Sequence, residues 1–108
     1  MAITYKVLGQ LNPASGSLSV LYTVPAATST VCSTLVVSSF GPSSNIRVAV
    51  QPASASIENK HYIVYDSAVN QYDSTFLTLG ITLAATDVIS VRSSTSSSSF
   101  TLFGSEIT

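Results

Sequence analysis

Apolar and polar residues alternate with a period of two along most of this chain. Three segments show the pattern most clearly, and their apolar positions are Leu18-Val20-Tyr22-Val24, Val31-Leu35-Val37 and Ile46-Val48-Val50. Successive side chains of a β-strand point to opposite faces, so each segment offers one apolar side to a core. Apolar residues at i, i+3, i+4 and i+7 do not recur, and we therefore predict no helix.

The alternating segments predict eight strands, over residues 3–10, 17–24, 30–39, 45–51, 60–66, 74–83, 87–93 and 99–107. Proline and glycine mark the turns at residues 12–16 and 41–45. Residues 52–59 have no clear pattern and are compatible with a long loop or one helical turn. The sequence therefore predicts a single all-β domain over residues 1–108, an antiparallel β-sandwich of about eight strands with Ig-like or jelly-roll topology.

Residues 93–99 are almost entirely serine. We interpret this run as an exposed polar turn between the seventh and eighth strands. Such a turn packs against nothing, so it is expected to tolerate a short insertion.

Charged residues are scarce: four are basic and five acidic, 8% of the chain, with a net charge of −1. About a quarter of the residues are charged in an average soluble domain. Charge repulsion helps to keep proteins monomeric, so we expect this domain to form homo-oligomers or to lie against other proteins. The four basic residues are scattered, which argues against nucleic-acid binding.

The chain contains no run of about 20 apolar residues that would span a bilayer, so no membrane association is expected. The first residues do not combine a basic leader with an apolar run, so no secretory signal is expected. These two observations favour a protein made in a cytoplasm.

No constellation of residues indicates catalysis. His61 is the only histidine, and its spacing of five from Asp66 places the two on opposite faces of one strand. Asp73 and Asp87 fall in predicted turns, where aspartate commonly accepts hydrogen bonds from backbone amides. One histidine and one cysteine are too few for a zinc site. We therefore expect no enzymatic activity, no cofactor and no metal.

The single cysteine, Cys32, has two interpretations. An unpaired cysteine is commonly a small buried hydrophobe, and we expect that role. The alternative is an intermolecular disulfide to a partner.

Five residues are candidates for a partner interface, namely Leu21, Val36, Arg47, Tyr62 and Arg92. Leu21 and Val36 fall on the nominally polar sides of their strands, which indicates either subunit contact or burial within the monomer. Arg47 and Arg92 are expected to point outward, towards a partner or a carboxylate such as Asp66 or Asp87. Tyr62 and Tyr65 are expected to face opposite ways, so that one enters the core and the other is available for contact.

Several segments together resemble small virion structural proteins of tailed bacteriophages, particularly those that infect cyanobacteria and other aquatic bacteria. They cover nearly the whole chain and include Tyr5-Lys6-Val7-Leu8-Gly9-Gln10, Leu21-Tyr22-Thr23-Val24-Pro25, Arg47-Val48-Ala49-Val50, His61-Tyr62-Ile63-Val64-Tyr65-Asp66, Leu77-Thr78-Leu79-Gly80-Ile81-Thr82-Leu83 and Phe103-Gly104-Ser105-Glu106-Ile107.

The resemblance implies an accessory β-sandwich of the virion, made in the host bacterial cytoplasm. Its first expectation is a capsid decoration (cement) protein that binds the major capsid protein and stabilises the shell. The alternative is a tail, baseplate or tail-fibre component, which would bind tail proteins and, at a fibre tip, a host receptor or glycan.

Overall fold

The computed structural model describes residues 2–108 and contains the eight predicted strands. Their bounds are β1 (Ile3–Leu11), β2 (Ser19–Thr23), β3 (Ser29–Ser39), β4 (Ser44–Gln51), β5 (Tyr62–Val69), β6 (Ser74–Leu83), β7 (Val88–Ser93) and β8 (Ser98–Ile107). The segment between β4 and β5 contains two single turns of 3₁₀ helix, Pro52–Ser54 and Asn59–His61. Each turn is only three residues long, too short for a helical period to show in the sequence.

The strands form two antiparallel sheets of four strands each. The front sheet has the order β1-β8-β3-β6, and the back sheet has the order β2-β7-β4-β5. The first strand pairs with the last, the second with the seventh, the third with the sixth and the fourth with the fifth. This is the pairing of one long hairpin rolled into two layers. The topology is therefore that of a jelly roll, and the Ig-like alternative does not apply.

The core lies between the inner faces of the two sheets. Its largest fully buried side chains are Phe100, Leu35, Ile46, Ile89 and Leu102, contributed by both sheets. Burying one side chain of this kind stabilises the fold by about 1.5–3 kcal/mol relative to leaving it exposed. The alternation that predicted the strands thus also identifies the inner face of most of them.

A β-bulge in β2 reverses the expected orientations of Val20 and Leu21. Val20 pairs with Ser90 and Tyr22 pairs with Ile89, so Leu21 is an extra residue in the ladder. Leu21 and Tyr22 are consequently both buried, whereas Val20 is 57% exposed. Leu21 therefore packs in the core of the monomer, and its assignment to a partner interface is wrong.

A second bulge changes the orientation of the tyrosines in β5. Tyr62 pairs with Ala49 and Val64 pairs with Val48, which leaves Ile63 as the extra residue. Tyr62 and Tyr65 then lie on the same outer face, with ring centroids 5.0 Å apart in an edge-to-face arrangement. The expectation that one of them enters the core is wrong, because the bulge shifts the alternation by one position.

The serine-rich segment is partly buried, so the prediction that it forms an exposed turn with no packing contacts is wrong. Ser93 and Ser98 are fully buried, and the Ser93 hydroxyl donates a hydrogen bond to Ser98 Oγ at 3.0 Å. Ser98 donates in turn to Ser44 Oγ at 3.0 Å, and Ser44 Oγ lies 2.6 Å from Thr95 Oγ1. Asn12 Nδ2 donates to the carbonyls of residues 96 and 98. This network fills one end of the sandwich, so an insertion within it would separate buried hydrogen-bonded groups.

Candidate functional site

The outer face of the front sheet, called here the front face, is formed by the four strands β1, β8, β3 and β6. The strand register places its residues in rows that cross all four strands in the order β1, β8, β3, β6. Three neighbouring rows are Tyr5-Ser105-Val31-Thr82, Val7-Phe103-Thr34-Thr78 and Gln10-Thr101-Val36-Phe76. Each row combines apolar side chains with hydroxyl or amide side chains.

Among residues 2–108, no charged residue occupies a strand position that points out of the front face. The four strands contain only two charged residues, Lys6 and Glu106, and both occupy positions whose neighbours across the sheet point inward. Five large apolar or aromatic side chains of the face are exposed: Ile3 49%, Tyr5 82%, Val7 45%, Phe76 70% and Phe103 37%. A contiguous exposed surface of this composition is typical of a contact with another protein.

A shallow groove crosses the front face next to Tyr5. Its volume is about 560 Å³, and its lining includes Tyr5, Val31 and Phe103 together with Ser33, Ser105 and, at the rim, Lys6. Gly104 also lines the groove, and the position requires glycine because a side chain there would collide with the Val31 carbonyl and the Leu8 side chain. The groove gives this part of the face a concave shape that a protruding apolar side chain of a partner would fit.

Lys6 and Glu106 belong to a hydrogen-bonded cluster at the rim of the sandwich. Lys6 Nζ lies 3.0 Å from Glu106 Oε1, and the Tyr22 hydroxyl donates to Glu106 Oε2 at 2.6 Å. Because that hydroxyl donates to the carboxylate, the buried Thr30 hydroxyl donates to Tyr22 Oη at 2.8 Å. The hydrogen bonds from Tyr22 and Lys6 lower the pKa of Glu106. Burial, reinforced by the bond to Glu106, raises the pKa of Tyr22.

The outer face of the back sheet, called the back face, has a different chemistry. Arg47 binds Asp66 through two hydrogen bonds, Nε–Oδ1 at 2.6 Å and Nη2–Oδ2 at 3.1 Å. Its guanidinium also lies 4.0 Å from the ring centroid of Tyr65 and 6.0 Å from that of Tyr62. The hydrogen bond between Arg47 and Asp66 raises the pKa of the arginine and lowers that of the aspartate.

Arg47, Asp66, Tyr62 and Tyr65, called here the back-face cluster, stabilise an irregular part of β5. Asp66 has a φ of 53°, in the left-handed region that aspartate tolerates better than most residues. The bidentate bond from Arg47 holds the side chain of this residue in place. The back-face cluster therefore has a clear structural role, whatever else it contacts.

The five candidate interface residues do not form one surface. Leu21 lies in the core, and Val36 lies half-buried on the front face. Arg47, Tyr62 and Arg92 lie on the back face. Arg47 pairs with Asp66 as expected, whereas Arg92 points outward and donates from Nε to the Gly16 carbonyl at 3.2 Å.

Sequence reasoning missed most of the front face, including Tyr5, Val7 and Phe103. The strands that build it are distant in the sequence, and their adjacency follows from the order β1-β8-β3-β6. One signal was present in the sequence: four of the eight predicted strands carry only two charges between them.

His61 lies at the end of the second 3₁₀ turn, where it is 6% exposed. Its Nδ1 accepts a hydrogen bond from the Glu58 amide at 3.0 Å and so closes that turn. A groove of about 480 Å³ beside it is lined by seven residues, namely Val50, Pro52, Ala55, Glu58, Lys60, His61 and Ile63. The hydrogen bond to the backbone gives His61 a structural role in the connection between β4 and β5.

The remaining candidate groups have local structural roles. Asp73 Oδ1 accepts from the Ser74 amide, and Asp87 accepts from the amides of Ala53 and Ala84, as predicted for aspartates in turns. Cys32 is buried, as expected, and burial raises its pKa to about 11. Among residues 2–108, no three His, Cys, Asp or Glu side chains lie close enough together to hold a metal ion.

Comparison with known proteins adds no identification to this description. No family model matches the chain, and no curated protein matches its sequence. Within residues 2–108, the structure has no helix long and apolar enough to cross a membrane. The class that the structure defines is an eight-stranded antiparallel jelly-roll sandwich with one uncharged outer face.

Proposed function

We propose that this protein is a non-enzymatic structural component of a bacteriophage virion, a decoration protein that docks on the assembled capsid through its front face. The observation that carries the proposal is a four-stranded face with no outward-pointing charged residue, on which Tyr5 is 82% and Phe76 is 70% exposed. The resemblance of the sequence to small phage virion proteins supports the same function.

The jelly-roll fold alone does not decide between functions, because viral coat domains, sugar-binding domains and enzymes share it. The proposal depends on the difference between the two faces. The one charged side chain that borders the front face, Lys6, is already paired with Glu106, so covering the face with another protein desolvates no unpaired ion. Its serine and threonine hydroxyls supply hydrogen bonds at the edge of a contact whose centre is aromatic and aliphatic.

The partner that fits this face is a repeated protein surface that is itself apolar and poor in charge, which we assign to the major capsid protein. Each contact need only be modest. A shell presents many copies of the same site, and a decoration protein that is itself oligomeric engages several of them at once. The mechanism is that of a clamp, in which the domain adds buried area across neighbouring shell subunits and so resists their separation.

The test uses virions produced in the host with wild-type or variant forms of this chain. Tyr5→Lys and Phe103→Lys place a charge at the centre of the groove on the front face. Val20→Lys is the matched control, because Val20 is 57% exposed in the back sheet and receives the same charge. Circular dichroism verifies that all three variants fold.

We expect wild type and Val20→Lys to be incorporated at equal copy number, as measured by mass spectrometry of purified particles. The two front-face variants should be depleted at least tenfold. Cryo-electron microscopy should place the protein on the shell with its front sheet against the capsid. Absence of the wild-type protein from virions, or equal incorporation of all the variants, would refute the proposal.

A tail, baseplate or tail-fibre component is the second candidate, and the back-face cluster favours it. Tyr65 is 58% exposed beside a guanidinium and a carboxylate, a combination of aromatic and hydrogen-bonding groups that suits a sugar. This candidate predicts density on the tail and binding to a host glycan that Tyr65→Ala abolishes. Location on the shell without glycan binding would exclude it.

A further inference from the structure

The four edge strands of the sandwich differ in how well they are protected. An edge strand exposes a row of unpaired backbone N–H and C=O groups, and proteins usually block it with charges, bulges, proline or covering segments. Edge strands β1 and β2 lie on the same side of the sandwich, and β5 and β6 are the other two. Their protection can be compared directly.

Three of these edges are blocked. β1 carries Lys6 and has a bulge between Val7 and Gly9, where the absence of a side chain lets it approach the Leu21 carbonyl of β2. β2 is only five residues long and is bulged at Leu21. β5 has two register shifts, and Asp66 in its centre has a positive φ.

β6 lacks most of this protection. It is ten residues long, contains neither charge nor proline, and pairs only with β3 among the described strands. Its one irregularity is Gly80, with a φ of 60°, where the register with β3 shifts. The segment before this bulge, residues 74–79, remains a regular strand of six residues with an unpaired edge.

We propose that β6 pairs antiparallel with β6 of a second copy of this chain, forming a two-fold symmetric dimer with a continuous eight-stranded front sheet. In an antiparallel two-fold pairing the residues near the axis meet their own copies, so a charge near the centre of the strand would repel its copy. An uncharged strand pairs with itself without that repulsion. The dimer is closed, because the opposite edge of the front sheet is the blocked strand β1.

Phe76 supports the same partner. It lies on the outer face of β6, 70% exposed, next to the half-buried Val36. When residues 74–79 pair with their copy about Phe76 or Leu77, the two Phe76 rings are directly opposite or diagonal, with Cβ atoms about 4.5–8 Å apart. Aromatic pairs in such positions stabilise antiparallel strands. Pairing therefore covers an exposed aromatic side chain as well as the backbone edge.

The dimer also joins two front faces into one uncharged surface. This inference concerns the free protein and does not depend on its incorporation into a virion. It can therefore fail while the proposed function stands, and the reverse also holds.

Analytical ultracentrifugation of the purified chain over a concentration series tests the pairing. We expect a species of twice the 11.2 kDa monomer mass to form with increasing concentration. Phe76→Lys should weaken self-association at least tenfold, because pairing about either residue places the two lysines directly opposite or diagonal to each other across the two-fold axis. Tyr5→Lys is the control on the same face, since it lies at the opposite edge of the sheet and should dimerise as wild type does.

Cross-linking tests the position of the contact. The native thiol of Cys32 is buried, so a cysteine introduced by Phe76→Cys is the reactive one. A short bismaleimide should link Phe76→Cys into dimers in high yield and leave Tyr5→Cys monomeric. A wild-type chain that stays monomeric at millimolar concentration would overturn the proposal. Equal loss of dimer in Tyr5→Lys and Phe76→Lys would also overturn it, since that result would indicate that the front faces of two copies stack on each other instead of pairing through β6.

Discussion

The Tyr22–Glu106 hydrogen bond gives the most direct quantitative test of the structure. Tyr22→Phe removes only the hydroxyl, which donates to Glu106 Oε2 at 2.6 Å and accepts from the buried Thr30 at 2.8 Å. A hydrogen bond to a charged group contributes about 1.5–3 kcal/mol. The Glu106 side chain is 14% exposed, so water partly replaces the lost donor, which places the bond near the lower end of that range.

The Thr30 hydroxyl makes the loss larger. It is fully buried, and the substitution removes its acceptor. An unpaired buried hydroxyl costs at least about 1 kcal/mol. The free energy of unfolding should therefore fall by about 2.5 kcal/mol at pH 7, a change that a domain of ordinary stability survives in folded form.

The assay is urea denaturation followed by far-ultraviolet circular dichroism. Tyr72→Phe is the matched control, because its side chain is 73% exposed and its change should stay within about 0.5 kcal/mol. The pH dependence provides a second arm. The pKa of Glu106 is lower in the folded state than in the unfolded chain. The ionised carboxylate therefore stabilises the fold at pH values above its unfolded-state pKa, and this stabilisation is lost as the pH falls through its folded-state pKa. The difference between wild type and Tyr22→Phe should accordingly shrink below about pH 4.

Two results would refute this reasoning. Equal stability of Tyr22→Phe and Tyr72→Phe at pH 7 would mean that the hydrogen bond contributes nothing. A large difference that does not change between pH 7 and pH 3 would mean that the tyrosine acts through packing alone.

Two further predictions concern buried groups elsewhere in the sandwich. Cys32 should react with a thiol reagent at pH 8 only as fast as the protein unfolds, because the side chain is fully buried and its pKa is raised to about 11. Rapid labelling of the native protein would contradict the placement of Cys32 in the core. Ser98→Ala should lower the free energy of unfolding by about 1–2 kcal/mol, because it leaves the Ser93 donor and the Ser44 acceptor without their partner. The control is Ser99→Ala, which changes the half-buried neighbour and should have little effect. Equal urea midpoints for the two variants would exclude the buried network.

The sequence was sufficient to predict the strands because the signals for them are local. Alternation over five to eleven residues and turn residues between segments located all eight. The bulges at Leu21 and Ile63 could not be predicted in this way. A bulge inserts one residue relative to the partner strand, and its position depends on the pairing of β2 with β7 and of β4 with β5.

The burial of the serine network could not be predicted from the sequence for a related reason. Serine is common in exposed turns, so a run of serines predicts exposure. Here the loop after β7 lies over the end of the sandwich, where it meets Ser44 at the start of β4 and Asn12 just after β1. Small hydroxyl side chains that meet in such a place satisfy one another and become buried. The burial of Ser93 and Ser98 depends on contacts between residues far apart in the sequence, which no local pattern contains.

The distribution of the nine charges is the strongest argument that the front face is adapted for contact. A low charge count alone would leave both faces of the sandwich sparsely charged. Instead Arg47, Asp66 and Arg92 lie on the back face, while no charged residue points out of the front face and only Lys6 borders it at the rim. The other charged residues lie at the rim, in turns and beside the 3₁₀ segment. The back sheet thus keeps the groups that hydrate a surface, and the front sheet presents aromatic and hydroxyl groups that another protein can cover without loss of ion hydration.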